Sequence, residues 1–192
     1  MSPTLRDGAP VPRRVWLAGF MAAGKSTVGR LLADSLGWEF VDTDDLVEAK
    51  AGRSIPELFE QGEEAFRGLE REAVREAAAE EERVIALGGG ALQDEGTRRF
   101  IRESGILVYL RVGTEELARR LSTGSSGRPL VRGRQEEGLR ERIDELLEKR
   151  IVHYESADLV VESGSGRTPE SIMKDLRYAI DSRLSADPCG PG

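Results

Sequence analysis

A glycine-rich segment near the N-terminus, Gly19 to Thr27, ends in lysine, serine and threonine. An apolar run precedes the segment and an amphipathic stretch follows it, so the glycines lie between a predicted strand and a predicted helix. A loop of this kind offers backbone N–H groups to a phosphate chain without side-chain bulk, and the helix adds its positive N-terminus. Lys25 can then reach the β- and γ-phosphates of a nucleoside triphosphate, while the Ser26 hydroxyl binds Mg²⁺.

The same segment could instead be a glycine-rich turn whose lysine is merely solvated. The complete spacing and the two flanking elements favour the phosphate-binding loop. The motif therefore predicts a bound nucleoside triphosphate, and it does not predict what happens to the γ-phosphate.

Two carboxylates, Asp42 and Asp44, follow the second predicted strand. The carboxyl ends of parallel strands meet at one edge of the sheet, so this pair is expected near the phosphate-binding loop. One carboxylate could hold Mg²⁺ through water, and the other could accept a proton from an attacking hydroxyl. A helix N-cap with a solvated neighbour explains the same pattern, and the spacing alone does not decide between the two interpretations.

Three glycines, Gly88 to Gly90, follow the third predicted strand. Glycines at this place let a ligand approach the backbone closely or let the chain swing. A plain loop is the simpler interpretation.

Arginines form a third group of candidates: Arg67, Arg128 and Arg150. The guanidinium offers a planar fork to phosphate or carboxylate, although a single helix arginine is more often solvated. Arg128 differs because it precedes a proline in a small, basic segment, residues 122–134, that has the composition of a mobile loop. A lid arginine there could close over the phosphates.

Composition limits the classes of function. The chain has 192 residues and a formal net charge of −7, which indicates one domain and argues against broad binding to nucleic acid or anionic membranes. No apolar run approaches the roughly 18 residues of a membrane span. The single cysteine and the single histidine rule out a disulfide framework and a cysteine or histidine metal cluster, so a cytoplasmic location is expected. A monomer is expected because the sequence shows no obvious extra apolar face.

Apolar runs alternate with helical patterns, which predicts a parallel sheet covered by helices. The predicted strands are residues 15–18, 38–41, 83–87, 106–110 and 159–161. The predicted helices are residues 25–36, 45–51, 54–60, 63–81, 94–103, 114–121, 135–153 and 169–184. Gly37 is expected to end the first helix, and Thr43 or Asp44 to cap the second. Residues 1–14 are predicted to be a loose leader and residues 185–192 a disordered tail, with a single domain between them.

Taken together, these motifs resemble the shikimate kinase family from Val15 to about Leu184. Their order and mutual spacing carry the resemblance, because each motif alone is weak or is shared by many kinases. The matching segments are Gly19 to Arg30 (the Walker A sequence), Asp42-Thr43-Asp44, Gly52 to Ile55, Gly62 to Glu70, Gly88 to Ala91, Arg128 to Leu130 (the lid) and Arg150 to Tyr154.

The resemblance implies a three-layer αβα P-loop fold with a five-stranded parallel sheet of order 2-3-1-4-5. It also implies transfer of the ATP γ-phosphate to the 3-hydroxyl of shikimate. Lys25 would then contact the phosphates, and Ser26 and Asp42 would hold Mg²⁺. Asp44 would bind the hydroxyl and act as its base, and Arg128 would arrive with the lid.

The resemblance also assigns the two substrates to residues. Shikimate would be held by Asp44, by Arg67 and Arg150, and by Gly88, Gly89 and Gly90. ATP would be held by Gly19, Ala22, Ala23, Gly24, Lys25, Ser26, Thr27, Arg120 and Arg128, with residues 164–169 beside adenine. Ala22 stands where the family often has glycine, a change that costs little unless the position needs a positive φ.

Two rival interpretations come from the same motifs. Another small-molecule kinase of this fold, acting on gluconate or a nucleotide, would share the P-loop but is not expected to combine the Asp-Thr-Asp, Phe-Arg and Gly-Gly-Gly sequences at this spacing. A binding module that has lost phosphoryl transfer would be expected to lack Lys25, Asp44 or Arg128, and all three are present.

Overall fold

The computed structural model describes residues 13–123, 136–164 and 166–185. In this part of the chain, five strands form one all-parallel sheet in the order β2-β3-β1-β4-β5. The strands are β1 (Arg14–Ala18), β2 (Glu39–Asp42), β3 (Arg83–Ala86), β4 (Ile106–Arg111) and β5 (Leu159–Glu162). The predicted fold class and strand order are confirmed.

Eight helices accompany the sheet in the described residues. They are α1 (Lys25–Leu36), α2 (Thr43–Ala51), α3 (Ile55–Gln61), α4 (Glu63–Ala77), α5 (Glu95–Ser104), α6 (Thr114–Thr123), α7 (Glu136–Tyr154) and α8 (Pro169–Ser185), with a short 3-10 turn at Ala91–Gln93. None of the described helices is long and apolar enough to cross a membrane.

Strand β1 lies at the centre of the sheet and is buried on both faces. Because side chains alternate along a strand, Val15 and Leu17 pack on one face and Trp16 and Ala18 on the other. Helices α1, α6 and α8 cover the first face, and α4 and α5 cover the second. The two apolar layers hold the carboxyl ends of the strands, and the loops that follow them, at one edge of the sheet.

Glycine and a capping box set the ends of two helices where the sequence predicted them. Helix α1 is flanked by Gly24 and Gly37, both in the left-handed conformation with φ of 96° and 71°. The Ser54 and Glu57 pair forms a capping box at the start of α3, with the Ser54 N–H donating to Glu57 Oε2 at 2.8 Å.

The start of α2 and the end of α4 differ from the prediction. Asp42, and not Thr43 or Asp44, is the N-cap of α2, because its Oδ1 atom accepts the Asp44 backbone N–H at 3.1 Å. Helix α4 ends at Ala77 instead of residue 81, since Arg83 Nη1 donates to the Ala77 carbonyl at 3.1 Å and the chain then turns into β3.

The domain limits also shift slightly. Arg14 belongs to β1, where it pairs with Arg83. The predicted leader, residues 1–14, therefore extends one residue too far toward the C-terminus. Ser122 and Thr123, assigned to the lid, form the last residues of α6, and Ser185, assigned to the tail, ends α8. Residues 1–12, 124–135 and 186–192 lie outside the described part of the chain, and so does the predicted lid residue Arg128.

Candidate active site

The Gly19 to Thr27 loop joins β1 to α1 at the carboxyl edge of the sheet. Gly19 has φ 150°, and a Cβ there would lie 2.8 Å from the Leu110 carbonyl oxygen, so the close passage over β4 requires glycine. The Lys25 ammonium donates to the carbonyl oxygens of Gly19 at 2.9 Å and Phe20 at 3.1 Å. This side chain therefore folds back across the loop, at the N-terminus of α1, where phosphates bind most favourably.

Ala22 lies in this loop with a left-handed backbone, φ 62°. Such a conformation costs a residue with a Cβ about 1–2 kcal/mol, while glycine loses about 0.5–1 kcal/mol more entropy on folding. We therefore expect Ala22→Gly to raise the free energy of unfolding by roughly 0.5–1 kcal/mol, or about 1–4 °C in melting temperature. Thermal unfolding followed by circular dichroism measures this.

Ala23→Gly is the matched control for that prediction. Ala23 is buried in the apolar layer beside α1, and its φ is not positive. Its replacement removes buried surface and adds backbone entropy, so we expect it to lower the melting temperature. Equal changes of the same sign in both variants would contradict the strain at Ala22.

Ser26 and Asp42 meet beside the phosphate-binding loop. Ser26 Oγ donates to Asp42 Oδ2 at 2.8 Å, while Asp42 Oδ1 caps α2. One Asp42 oxygen is therefore an N-cap, and the other lies next to Ser26 Oγ, the hydroxyl predicted to bind the metal. Thr27, in the same helical turn as Ser26, is exposed.

Hydroxyl and carboxylate oxygens are the ligands that Mg²⁺ prefers, so this pair fits the ion. Among the described residues, no group of three or more His, Cys, Asp or Glu side chains could hold a metal by itself. A magnesium ion at Ser26 and Asp42 would therefore depend on phosphate and water for its remaining ligands, as is usual for nucleotide-bound Mg²⁺.

The glycine triplet after β3 lies against the predicted acceptor-side residues. A Cβ at Gly88 would lie 2.6 Å from Asp44 Oδ1 and 3.1 Å from Glu70 Oε1, and one at Gly90 would lie 2.5 Å from Arg67 Nη1. A side chain at Gly88 or Gly90 would therefore displace the facing carboxylate or guanidinium. The triplet is thus a close-packed backbone segment whose neighbours are the predicted acceptor-side residues.

Gly89, the middle glycine, connects the two halves of the site. A Cβ there would lie 3.4 Å from Arg150 Nη1 and 3.9 Å from both the Gly19 carbonyl oxygen and the Met21 nitrogen. The triplet therefore runs beside the phosphate-binding loop and also touches the late arginine. Within the described residues, no hydrogen bond is made by the backbone N–H of Gly89 or Gly90.

Arg67 and Arg150 are held differently. Arg67 donates to Glu70 Oε2 at 2.7 Å, to Glu63 Oε1 at 3.1 Å and to Gln93 Oε1 at 3.2 Å. Arg150 lies over the Phe20 ring at 5.7 Å, and its buried Nε has no hydrogen-bond partner in the described residues. The Arg150 Nε thus lacks a protein partner among the described residues, and a guanidinium in this position can bind an anionic ligand.

Glu70 lies in the candidate site and ends the Gly62 to Glu70 segment, but its sequence position did not predict a role for it. It is 4% exposed, and burial raises the pKa of its carboxyl while the charges of Arg67 and Arg150 oppose that shift. Glu70 thus supplies negative charge between the two arginines. The signal available in the sequence was its spacing from Arg67, which places both side chains on one face of α4.

Two hydroxyl groups hold the triplet from opposite elements, and neither contact was predicted from sequence. Thr43 Oγ1, fully buried at the start of α2, accepts the Gly88 N–H at 2.9 Å. The Tyr154 hydroxyl, at the end of α7, donates to the Gly89 carbonyl at 2.6 Å. Both contacts join segments far apart in sequence, so spacing alone could not reveal them.

Arg120 reaches the opposite side of the phosphate-binding loop. Its Nη1 donates to the carbonyl of Ala22 at 3.1 Å, its Nη2 to that of Ser163 at 2.8 Å, and its Nε to Glu116 at 2.7 Å. Hydrogen bonds from Arg119 and Arg120 lower the pKa of the Glu116 carboxyl to about 2. Arg120 thus lies next to residue 164, which places the two segments predicted to flank adenine side by side.

Comparisons with known proteins agree with this arrangement. The profile of the family "Shikimate kinase" matches residues 21–181. A shikimate kinase of Chlorobium limicola is 42% identical over 183 residues, which cover 88% of this chain and 92% of that protein.

Solved structures give the same answer. A shikimate kinase from Bacteroides thetaiotaomicron superposes with a TM-score of 0.83 at 34% identity, covering 88% of this chain and 98% of that one. A shikimate kinase from Acinetobacter baumannii, solved in complex with shikimate, gives 0.80 at 34% identity, covering 91% and 96%. Because the profile spans most of the chain and these relatives match over nearly their whole length, the chain belongs to the shikimate kinase family.

Proposed function

We propose that this chain transfers the γ-phosphate of Mg·ATP to the 3-hydroxyl of shikimate, giving shikimate 3-phosphate and ADP. Family membership supports the reaction. One structural observation carries the proposal for the site: the Gly88–Gly90 triplet lies beside the phosphate-binding loop while touching Asp44, Arg67 and Arg150. Groups suited to a phosphate donor thus adjoin groups suited to an anionic alcohol.

The acceptor side has the right chemistry for a carboxylate that also bears hydroxyls. Arg150 offers a half-buried cation, Arg67 a second guanidinium, and Gly89 and Gly90 two backbone donors. Gripping the carboxylate at one end would direct the ring hydroxyls toward Asp44. Binding of the carboxylate would thereby orient the reacting hydroxyl. Such orientation can contribute several kcal/mol to catalysis.

Asp44 is the proposed base. Its carboxylate lies against Gly88, on the acceptor side of the site, whereas Asp42 is engaged with Ser26. In this proposal Asp42 belongs to the metal side and Asp44 to the hydroxyl side, as the family resemblance implies. A carboxylate that accepts the hydroxyl proton as the bond to phosphorus forms keeps the attacking oxygen nucleophilic.

The donor side holds and neutralises the phosphates. Lys25 would exchange its loop carbonyl partners for phosphate oxygens, and Ser26 and Asp42 would hold Mg²⁺. When bound, Mg²⁺ would offset charge on the β- and γ-phosphates. Arg128 stays a sequence prediction for the lid, where it would approach the transferring phosphoryl group.

An acceptor panel tests the proposal. ADP release with Mg·ATP would be measured with shikimate, quinate, gluconate and nucleoside monophosphates, and each product checked by mass. We expect turnover with shikimate far above that with the other acceptors. Turnover with gluconate or a nucleotide alone would indicate the rival small-molecule kinase. ATP binding without turnover of any acceptor would support the binding-module alternative.

The packing of the triplet gives a further prediction. In Gly90→Ala the new methyl would lie 2.5 Å from Arg67 Nη1, and the backbone itself, φ −108°, accepts alanine. The flexible guanidinium must move aside, so we expect the shikimate KM to rise about tenfold or more while the melting temperature hardly changes. Steady-state kinetics with each substrate varied in turn measures this.

Gly68→Ala is the control for that variant. Gly68 is the neighbour of Arg67 in α4, and a Cβ there would meet nothing within 4 Å. Alanine favours the helix, so stability should rise slightly and the shikimate KM should stay the same. A Gly90→Ala enzyme with wild-type shikimate KM would show that the position of Arg67 does not matter for binding.

A further inference from the structure

The end of helix α7 makes a buried contact with the glycine triplet. Tyr154 is 2% exposed, and its hydroxyl donates to the Gly89 carbonyl at 2.6 Å. Its ring stacks on that of Tyr109, with centroids 5.0 Å apart and planes at 22°. Burial raises the pKa of the Tyr154 hydroxyl to about 12, with the Arg150 charge opposing, so the group is protonated and donates at neutral pH.

Tyr154 also shares a helix face with Arg150, one turn earlier. The Arg150 head lies on the side of Gly89 where a side chain would project, because a Cβ built on Gly89 would lie 3.4 Å from Arg150 Nη1. Within the described residues, no carboxylate lies within salt-bridge distance of Arg150. The position of this guanidinium is therefore fixed by two contacts, with the Phe20 ring and with the Tyr154 hydroxyl, and not by an ion pair.

We propose that Tyr154 is a positioning residue for the acceptor: its hydroxyl fixes Gly89 against Arg150, so that the guanidinium and the triplet amides face the same carboxylate. This inference rests on the proposed function for the identity of the acceptor. Among the described residues, the hydrogen-bond partners of the Tyr154 hydroxyl are the Gly89 carbonyl and Arg150, whereas Lys25 and Ser26 make their hydrogen bonds elsewhere. We therefore expect its effect mainly on acceptor binding, with ATP binding changed much less.

Tyr154→Phe tests the proposal because it removes one oxygen and keeps the stacked ring. Tyr109→Phe is the matched control, since it removes a hydroxyl from the same stacked pair, and that hydroxyl interacts with Arg111 instead of the triplet. We expect Tyr154→Phe to raise the shikimate KM about five- to tenfold with the ATP KM within twofold of wild type. Tyr109→Phe should leave both unchanged.

Hydrogen exchange supplies a second measurement that does not need the substrate. The Gly88 and Ala91 amides flank Gly89 and are hydrogen-bonded, to Thr43 Oγ1 and to the Gly88 carbonyl respectively. If Tyr154 holds the triplet, these amides should exchange several times faster in Tyr154→Phe than in wild type or in Tyr109→Phe. If the two hydroxyls contributed only to global stability, the exchange rates of these amides would change alike in the two variants.

The two measurements separate the failure of this inference from failure of the proposed function. A wild-type enzyme that does not phosphorylate shikimate would overturn the proposed function, whereas the exchange comparison would still decide whether Tyr154 positions the triplet. Equal exchange in the two variants would overturn the positioning role. So would a shikimate KM in Tyr154→Phe within twofold of wild type, in an enzyme that turns shikimate over.

Discussion

Replacement of Asp44 by asparagine is expected to lower kcat with shikimate by about two to four orders of magnitude, the usual contribution of a positioned base. Asparagine keeps the size and can still hydrogen-bond to the substrate, but it cannot accept the hydroxyl proton. ATP affinity should change by less than about threefold, because Asp44 lies against the glycine triplet and the phosphate-binding loop is left intact. Steady-state kinetics and equilibrium nucleotide binding measure the two quantities.

Asp45→Asn is the matched control for this variant. Asp45 is the next residue in the first turn of α2, and its side chain is exposed. Both substitutions remove one negative charge from the same helix terminus, so any shared effect reflects the helix dipole and net charge. Comparable losses of turnover in the two variants, or equal loss of turnover and ATP binding in Asp44→Asn, would count against Asp44 as the base.

Arg150→Ala is expected to have the second largest effect, on acceptor binding. Removal of one partner of a buried charge pair typically costs 2–5 kcal/mol, so the shikimate KM should rise by about two orders of magnitude with the ATP KM nearly constant. Stability should not fall much, because the Arg150 Nε is buried without a hydrogen-bond partner in the described residues. Kinetics with each substrate varied, together with thermal unfolding, checks both statements.

Two controls accompany Arg150→Ala. Lys149→Ala removes an exposed cation from the adjacent position of α7 and should leave the shikimate KM unchanged. Arg150→Lys keeps the charge but loses the planar fork, so it should recover only part of the lost affinity. An unchanged shikimate KM in Arg150→Ala would remove this residue from the carboxylate site.

Most of the fold could be predicted from sequence because local signals determine it. Helix α1 has the predicted bounds because glycine in the left-handed conformation occurs at both of its ends. Helix α4 was predicted too long because its charged pattern continues past Ala77, whereas the true end depends on Arg83, which donates to the Ala77 carbonyl. That contact comes from the next strand, and periodicity within the helix does not report it.

The site was predictable to the extent that its residues occur in motifs. The structure brings Asp44, Arg67 and Arg150 around the glycine triplet, and these are residues to which the family resemblance assigns the acceptor. Their neighbours Thr43 and Tyr154 act through hydrogen bonds that span 45 and 65 residues, and such pairings exist only in the folded chain. The sequence therefore predicts candidate ligand-binding groups. It does not predict the hydrogen bonds that hold those groups in place.

The central claim is that the γ-phosphate is transferred to one particular hydroxyl of shikimate. The most direct measurement is proton and phosphorus nuclear magnetic resonance of the product formed from Mg·ATP and shikimate by the wild-type enzyme. We expect one equivalent of ADP and a single phosphate ester whose phosphorus couples to the ring proton at carbon 3. Inorganic phosphate in place of an ester, or an ester at another hydroxyl, would contradict the arrangement of Asp44 and Arg150 proposed for this site.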